Sequence, residues 1–198
     1  VFSIPRGSRP LNLCELPNGH IYWGEYFANI GKEAVHVYVS IDGGLTWKIA
    51  YTFSEGNINH IHGLFWDEFT NRLWFCTGDR ENECIIGYSE HEFKTIVEVF
   101  RGNQEYRSCQ LFFYEHFVVF ATDSQYVQNE IKMFARDSMQ INSLVKIQGT
   151  AIKGGQLGNI SFLSTTVEPS EMNKDRYSHL WITDDGISWR EIFKEKKD

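Results

Sequence analysis

Ser40-Ile41-Asp42-Gly43-Gly44-Leu45-Thr46-Trp47 joins two strand-like runs, Val35–Ser40 and Trp47–Phe53. The carboxylate of Asp42 and the hydroxyl groups beside it can bond the backbone N–H groups of a tight turn, and glycine can adopt the positive φ that such a turn needs. The tryptophan ring can then pack between neighbouring strands. The stretch therefore predicts a tight turn between two antiparallel strands. Five of its residues have this structural role: Ser40, Asp42, Gly44, Thr46 and Trp47.

A version of this turn that is one residue shorter, Thr183-Asp184-Asp185-Gly186-Ile187-Ser188-Trp189, lies near the end of the sequence. We expect the same structural role for Asp185, Gly186 and Trp189. Asp42, Asp137 and Asp185 follow one another at intervals of 95 and 48 residues, close to two periods and one period of a single repeat. A repeat of this length is typical of units that stack on one another to bury a shared core.

The composition and the spacing of apolar residues indicate β-structure throughout. Aromatic residues make up 15% of the chain and prolines number only 4, as is typical of sheet proteins. Sixteen strand-like runs follow one another in meander order. They are Leu11–Leu16, Ile21–Tyr26, Val35–Ser40, Trp47–Phe53, Ile61–Trp66, Arg72–Thr77, Cys84–Ser89, Thr95–Phe100, Ser108–Tyr114, Phe117–Thr122, Glu130–Ala135, Asn142–Ile147, Ala151–Leu157, Ile160–Val167, His179–Thr183 and Trp189–Phe193.

Four short strands in each repeat of about 48 residues indicate the blades of a β-propeller. The sequence therefore predicts an all-β fold, a β-propeller of four-stranded antiparallel blades. The propeller, or a fragment of one, covers 1–198 as a single domain, with blades at about 9–53, 58–100, 106–147 and 150–193.

The stretch 40–47 matches the pattern S-x-D-x-G-x-T-W in full, and 183–189 supplies a periodic second copy. In this respect the chain resembles the Asp-box propellers, the sialidase-like superfamily also described by its bacterial neuraminidase repeats. The resemblance implies that these turns are structural and lie on the face opposite the substrate. His60-Ile61-His62-Gly63, Thr77-Gly78-Asp79 and Ala121-Thr122-Asp123-Ser124 look like a pattern in uncharacterised bacterial members.

The number of blades bears on how complete the propeller is. Propellers of this superfamily typically have six or more blades. Four blades therefore suggest a fragment of a longer chain, a compact four-bladed ring, or halves that complete each other in a homo-oligomer. We favour the fragment, and the start at Val1 rather than methionine agrees with that expectation.

Charge and hydropathy exclude several classes of partner. The net charge of −7 argues against a general nucleic-acid or anionic-membrane surface. Apolar runs are only a few residues long, so we expect no membrane insertion. The 4 cysteines have no CxxC spacing, and we expect buried free thiols.

Polar residues recur at the connections that enter the first strand of each blade and in the loops between second and third strands, which together form one face of a propeller. Such side chains are costly to bury without a ligand or mutual pairing, so we take this face as the candidate site. The candidates are Arg9, His60, His62, Asp79, Arg107, Asp123, Tyr126, Gln156, Glu168 and Arg176.

The resemblance implies roles for these residues. A sialidase-type mechanism needs three arginines that hold the substrate carboxylate, a tyrosine nucleophile activated by a glutamate, and an aspartic acid as proton donor. By position, Arg9, Arg107 and Arg176 could form the clamp. The catalytic candidates are Tyr126 as nucleophile, Glu168 as its base, and Asp79 or Asp123 as acid, while His60, His62 and Gln156 are substrate-binding candidates.

The stretch His60-Ile61-His62 permits a second chemistry. Residues i and i+2 of a strand point to the same face, so both imidazoles could reach one metal ion or one substrate carboxylate. With Asp79 and Asp123 they would form a ligand set suited to zinc or manganese. We favour hydrogen-bonding histidines and expect no cofactor, with a divalent metal at His60 and His62 as the alternative.

These patterns together predict a sialidase-like, carbohydrate-active propeller. As an enzyme it would be a glycoside hydrolase-like protein that acts on an acidic glycan at the central polar face. The alternative is a non-catalytic propeller that binds a glycan or another protein. Convergence of Asp79, Asp123, Tyr126 and Glu168 with the arginines opposite would favour the enzyme, whereas internally paired arginines would favour a scaffold.

Overall fold

The computed structural model describes residues 2–7 and 9–197, and these residues form four antiparallel sheets of four strands each. Within each sheet the strands follow in chain order, each paired with the next. Short 3-10 turns at Glu81–Glu83 and Gln104–Tyr106 precede two of the strands. The strands β1 to β16 are Cys14–Glu15, Ile21–Gly24, Val35–Ser40, Lys48–Phe53, His60–Asp67, Arg72–Gly78, Ile85–Glu90, Thr95–Arg101, Ser108–Phe113, Phe117–Thr122, Glu130–Ala135, Ile141–Lys146, Thr150–Leu157, Ile160–Thr166, Tyr177–Thr183 and Arg190–Lys196.

Each predicted strand has an observed counterpart, so the all-β prediction is confirmed. The largest difference is at β1, which has two residues where the sequence pattern predicts Leu11–Leu16. The side chain of Asn12 explains it. Its Nδ2 donates to the Leu64 carbonyl oxygen at 2.6 Å, and its Oδ1 accepts from the Leu64 amide at 3.1 Å. The segment before β1 is therefore attached to β5 instead of extending the pairing with β2.

The chain forms two compact units, of which the first ends at Arg107 and the second begins at Ser108. Unit 1 contains the sheets β1–β4 and β5–β8, with a shared core that includes Val37, Leu64 and Phe75. A Cβ at Gly24 would lie 2.5 Å from Ile61 Cγ2, so only glycine permits this approach of β2 to β5.

Unit 2 contains the sheets β9–β12 and β13–β16. Its core includes Phe112, Val119 and Leu163, and the ring of Trp189 packs 5.5 Å from that of Phe112. Since Trp189 is the last residue of the turn at 183–189, that turn is attached directly to the core of its unit.

The turn at 40–47 has the hydrogen bonds that its sequence predicts. Asp42 Oδ1 accepts from the Thr46 amide at 2.9 Å and from Ser40 Oγ at 2.7 Å, and Asp42 Oδ2 accepts from Thr46 Oγ1 at 2.6 Å. Ser40 Oγ accepts from the Gly44 amide at 2.8 Å, and Trp47 Nε1 donates to the Gly44 carbonyl oxygen at 3.1 Å. The bonds from Thr46 and then Ser40 lower the pKa of Asp42 to about 2.

The turn at 183–189 repeats this arrangement with one residue fewer. Asp185 Oδ1 accepts from the amides of Ile187 at 2.7 Å and Ser188 at 2.6 Å, and from Thr183 Oγ1 at 2.9 Å. Trp189 Nε1 donates to the Gly186 carbonyl oxygen at 3.1 Å. The backbone bonds from Ser188 and Ile187 hold the pKa of Asp185 well below its usual range.

Cys14, Cys76, Cys84 and Cys109 are buried free thiols. Within residues 2–7 and 9–197, no helix has the length and apolar character needed to span a membrane.

Candidate functional site

Four of the candidate residues converge in unit 1, and we call His60, His62, Asp79 and Arg107 the histidine cluster. His60 opens β5 and pairs in register with Gly78, the last residue of β6, so that Asp79 follows directly beside it. The amide of Ile61 donates to the Glu25 carbonyl oxygen at 2.9 Å, which fixes the start of β5 against the end of β2. The sheet register and this contact bring the ends of three strands together.

The polar atoms of the cluster lie very close to one another. Nε2 of His60 and Nε2 of His62 are 3.1 Å apart. Asp79 Oδ1 lies 3.3 Å from the first and 3.2 Å from the second. Arg107 Nη2 is 3.0 Å from the same oxygen. Three of these side chains are buried, and only that of Asp79 is partly exposed, at 35%. The cluster is therefore within reach of solvent through its carboxylate.

Asp79 is held from several sides. Gln104 Nε2 donates to its backbone carbonyl oxygen at 2.8 Å, and Asn59 Nδ2 donates to its Oδ2 at 3.2 Å. Burial opposes ionisation of this carboxyl, but the hydrogen bonds and charges of His60 and His62 outweigh burial and hold its pKa well below the usual range. Asp79 is consequently an ionised carboxylate near neutral pH, which suits a cation partner better than a proton donor.

The surroundings of His60 indicate its tautomer. Its Nδ1 lies 3.0 Å from the Phe27 carbonyl oxygen, which can only accept a hydrogen bond. Nδ1 therefore carries a proton, and Nε2 is the nitrogen that faces His62 and Asp79. Asn59 Nδ2 is also 3.2 Å from this Nδ1, but in that tautomer it can donate only to Asp79. The ring of Tyr26 lies 4.3 Å from the imidazole and supports its orientation.

Gly78 permits the approach of His62. A Cβ at this position would lie 2.4 Å from His62 Cε1 and 2.8 Å from Nε2. Gly78, Asn59 and Gln104 support the cluster, but the sequence patterns did not identify them. For Gly78 a signal was available, because a glycine at the end of a strand often marks a close approach by another group.

Other candidates lie apart from the cluster or in unit 2. Arg9 is exposed, and within the described part of unit 1 it forms no ion pair with Asp79. In unit 2, Arg176 is exposed, and buried Asp123 accepts a hydrogen bond from Cys109 Sγ at 3.2 Å. Gln156 bonds both backbone groups of Phe113, at 2.9 Å each, and thereby joins β13 to β9.

Tyr126 and Glu168 both belong to unit 2. Tyr126 is 68% exposed, and Glu168 Oε2 accepts from Gln125 Nε2 at 3.3 Å. Among the residues that the structure describes, no hydrogen bond joins the Tyr126 hydroxyl to Glu168. Their pairing as nucleophile and base remains a prediction.

Unit 2 also contains a histidine–carboxylate group that the sequence patterns did not single out. Buried His179 has Glu191 Oε2 at 2.7 Å from its Nδ1 and Asp175 Oδ2 at 3.2 Å from its Nε2. The two carboxylates bind opposite nitrogens of one ring. This arrangement joins β15 to β16 and to the loop before β15.

A groove of about 480 Å³ lies at the other end of β5, between the turns of the two sheets of unit 1. Its lining includes Asn18, Arg72 and Glu92. Glu92 accepts hydrogen bonds from Asn18 at 3.0 Å and from the Tyr22 hydroxyl at 3.1 Å. These are ordinary, solvent-accessible contacts, whereas the histidine cluster holds buried polar atoms that face one another. We therefore take the cluster as the candidate site.

Comparison with known proteins shows a fold and no family. No protein-family model and no curated protein matches the sequence. Among solved structures, a protein from Agrobacterium tumefaciens assigned as TolB has 12% identity and a TM-score of 0.61 over 92% of this chain and 64% of its own. An α-L-arabinofuranosidase from Fusarium graminearum, in complex with an iminosugar inhibitor, has 11% identity and a TM-score of 0.57 over 91% of this chain and 65% of its own.

A chain of a nidogen/laminin complex has 9% identity and a TM-score of 0.55 over 93% of this chain and 79% of its own. The chain thus spans just under two thirds of the length of the first of these structures. All three are β-propellers, and one of them is a glycosidase. Identities this low carry no information on activity. The structural similarities confirm that the chain has the β-propeller fold class, as its sequence predicts.

Proposed function

We propose that this chain is a sialidase-like, carbohydrate-active propeller that binds and processes an acidic glycan at the histidine cluster. The observation that carries the proposal is the convergence of His60, His62, Asp79 and Arg107 at one end of the sheets of unit 1. The hydrogen bonding of the turns at 40–47 and 183–189 supports the Asp-box resemblance.

The cluster has the chemistry of proton transfer. An imidazole oriented by an ionised carboxylate can take up and release a proton near neutral pH, and His62 Nε2 lies 3.2 Å from Asp79 Oδ1. His60 Nε2 lies 3.1 Å from His62 Nε2 and in this proposal accepts or shares that proton. In this proposal the histidines transfer the proton and Asp79 keeps them oriented.

The arginines supply affinity for a sugar acid. A guanidinium group binds a carboxylate through two parallel hydrogen bonds, which fixes the orientation of the ligand. Arg107 Nη2 lies 3.0 Å from Asp79 Oδ1, and in this proposal its guanidinium group binds the carboxylate of the sugar acid. The substrate-binding roles of Arg9, Arg176 and Gln156 remain predictions of the sequence resemblance. Tyr126, Glu168 and Asp123 belong to unit 2, and their roles as nucleophile, base and acid remain predictions of the sequence resemblance.

The first test is a glycan array together with fluorogenic acidic glycosides, applied to the purified chain. We expect binding of an acidic glycan and turnover of the matching glycoside. Asp79→Asn and Glu168→Gln are the informative variants, because each removes one charge with little change in shape. Asp175→Asn is the matched control, since it alters a carboxylate bound to a histidine in unit 2.

The outcomes separate the classes of function. Turnover that is lost in Asp79→Asn and kept in Asp175→Asn supports the enzyme. Binding without turnover identifies a glycan-binding module. Absence of both binding and turnover, with a folded protein, rejects a carbohydrate function.

A second function, protein interaction, is favoured by one surface of unit 2. Ile160 and Phe162 of β14 and Phe193 of β16 are each about half exposed. Residues that pair across strands, and residues two positions apart on one strand, point to the same face of a sheet. Phe162 pairs with Ile182, and Ser164 and Phe193 both pair with Leu180, so the three apolar side chains share one face. An exposed apolar sheet face of this kind fits another blade, a second copy of the chain or a protein partner. Concentration-dependent self-association that Phe162→Ser abolishes would support this function.

A further inference from the structure

The ligand atoms of the histidine cluster form a nearly equilateral triangle. Its corners are His60 Nε2, His62 Nε2 and Asp79 Oδ1, and its sides measure 3.1, 3.2 and 3.3 Å. Imidazole nitrogens and carboxylate oxygens are atoms that can each donate a lone pair to a metal ion. A shared proton can satisfy one side of such a triangle, whereas a single cation satisfies all three atoms.

These sides match the coordination sphere of a small divalent cation. Zinc binds imidazole nitrogen at about 2.0–2.1 Å with tetrahedral angles, which places neighbouring ligand atoms about 3.3 Å apart. An octahedral ion with bonds of about 2.1 Å places them about 3.0 Å apart. The observed triangle lies between these values, so a bound ion would require only small shifts of the side chains.

The hydrogen bonding of His60 also suits a cation. Its Nδ1 donates to the Phe27 carbonyl oxygen at 3.0 Å, so Nε2 is the nitrogen directed at the other two atoms. Metal-binding histidines commonly donate their second N–H to a backbone carbonyl in this way.

The carboxylate has the outer contacts of a metal ligand. Arg107 Nη2 lies 3.0 Å from Oδ1, and Asn59 Nδ2 donates to Oδ2 at 3.2 Å. Ligating carboxylates are usually hydrogen-bonded by such partners, which fix their orientation. The 35% exposure of the Asp79 side chain allows solvent to reach the cluster, and therefore also a fourth ligand.

We propose that His60 Nε2, His62 Nε2 and Asp79 Oδ1 bind one divalent transition-metal ion, best matched by zinc, and leave one position open to water or substrate. The sequence patterns favour hydrogen-bonding histidines with a divalent metal as the alternative, and this proposal takes the alternative. Two histidines and one carboxylate with an open position form a ligand set typical of catalytic metal sites. This inference goes beyond the proposed function of the same cluster, because an Nε2 atom that binds an ion cannot also transfer a proton. It is carried by ligand geometry and is tested without a glycan.

The test is titration of the metal-free full chain with Zn²⁺ by calorimetry, and with Co²⁺ by visible absorption, which is intense for four-coordinate cobalt. We expect one ion per chain and a four-coordinate cobalt spectrum that Zn²⁺ abolishes. Asp79→Asn and His62→Gln should each weaken Zn²⁺ binding about 100-fold or more. The control His179→Gln should bind as the parent does. A second titration with Mn²⁺ compares the affinities of the two metals, and tighter binding of Mn²⁺ than of Zn²⁺ would overturn the choice of zinc.

Several outcomes would overturn the site itself. They are the absence of saturable binding by the unaltered chain, binding that survives both cluster variants, and equal loss in His179→Gln. Because the cobalt spectrum is recorded on the unaltered protein, a variant that fails to fold does not remove the test. If the chain binds one zinc ion but turns over no glycan, the proposed enzyme is contradicted and this inference is not. If the chain binds no metal and its turnover is unaffected by a chelator, this inference is contradicted and the proposed enzyme is not.

Discussion

The two units each contain a buried histidine–carboxylate group, and the two groups differ in geometry. In unit 1, nitrogens from two rings and one carboxylate oxygen lie within 3.3 Å of one another. In unit 2, the single ring of His179 lies between two carboxylates, one on each nitrogen, at 2.7 and 3.2 Å. Opposite nitrogens of one ring diverge, so that group links strands. The first group converges on a point and can act on a ligand.

The two aspartate turns, in contrast, are nearly alike in the two units. In both turns an aspartate accepts backbone and hydroxyl hydrogen bonds, and a tryptophan N–H donates to a glycine carbonyl oxygen. Features that recur in both units therefore belong to the scaffold. Among residues 2–7 and 9–197, the convergence of two imidazoles and one carboxylate occurs in unit 1 and has no counterpart in unit 2, which supports assigning function to it.

The largest expected effect separates the two turns. Gly186 has a φ of 77°, and a Cβ there would lie 2.5 Å from the Tyr114 ring, whereas Gly43, with a φ of 70°, has no atom within 4 Å of its Cβ position. We expect Gly186→Ala to lower the free energy of unfolding by about 2–5 kcal/mol, from backbone strain plus a clash. Gly43→Ala should cost about 1–2 kcal/mol from strain alone. Urea unfolding measures both, and equal costs would contradict this difference in packing.

Gly78→Ala would test the cluster from the backbone side. The added methyl group would displace the His62 ring, so we expect a loss of about 1–3 kcal/mol of stability together with loss of the proposed ligand binding. Gly31→Ala is the control, because its Cβ would lie 3.7 Å from the nearest atom of Glu33, which is ordinary contact. Thermal unfolding and Zn²⁺ titration of both variants provide the measurement. Unchanged binding in Gly78→Ala would show that the position of His62 is not required.

His179→Gln and His60→Gln would sharpen the comparison between the two groups. Removing His179 leaves two partly buried carboxylates without their partner, and we expect a cost of about 1–2 kcal/mol in unfolding free energy. Binding of metal or glycan at unit 1 should not change. His60→Gln should instead weaken that binding. If His179→Gln weakened it equally, the division into a structural group and a functional group would be wrong.

The smallest effect concerns the turn aspartates and depends on pH. The pKa of Asp42 is about 2 in the folded chain and 3.8 in its ordinary state, so its contribution to stability is present above about pH 4 and disappears as the pH falls toward 2. Asp42→Asn should therefore be less stable than the parent at pH 7, and the difference should shrink between pH 4 and 2. Asp185→Asn should behave in the same direction. Chemical unfolding at a series of pH values checks both, and a difference that is constant with pH would contradict the assignment.

The sequence alone determined the sixteen strands, their meander order and the two aspartate turns, because these depend on alternation and on contacts between residues a few positions apart. β3, β10 and β11 even have the predicted bounds. The sequence also placed His60 and His62 on one face of a strand. It did not predict the short β1, because the hydrogen bonds of Asn12 to Leu64 span 52 positions.

Only the tertiary structure decided the composition and geometry of the site. Asp79 and Arg107 reach the histidines through a pairing of strand ends and a contact across 28 positions. The distances of 3.1 to 3.3 Å depend on the space beside Gly78 and on the carbonyl of Phe27, which no local pattern encodes. Local periodicity specifies the backbone conformation and the face of the sheet to which each side chain points. The convergence of side-chain atoms on one point requires the packing of residues that are distant along the chain.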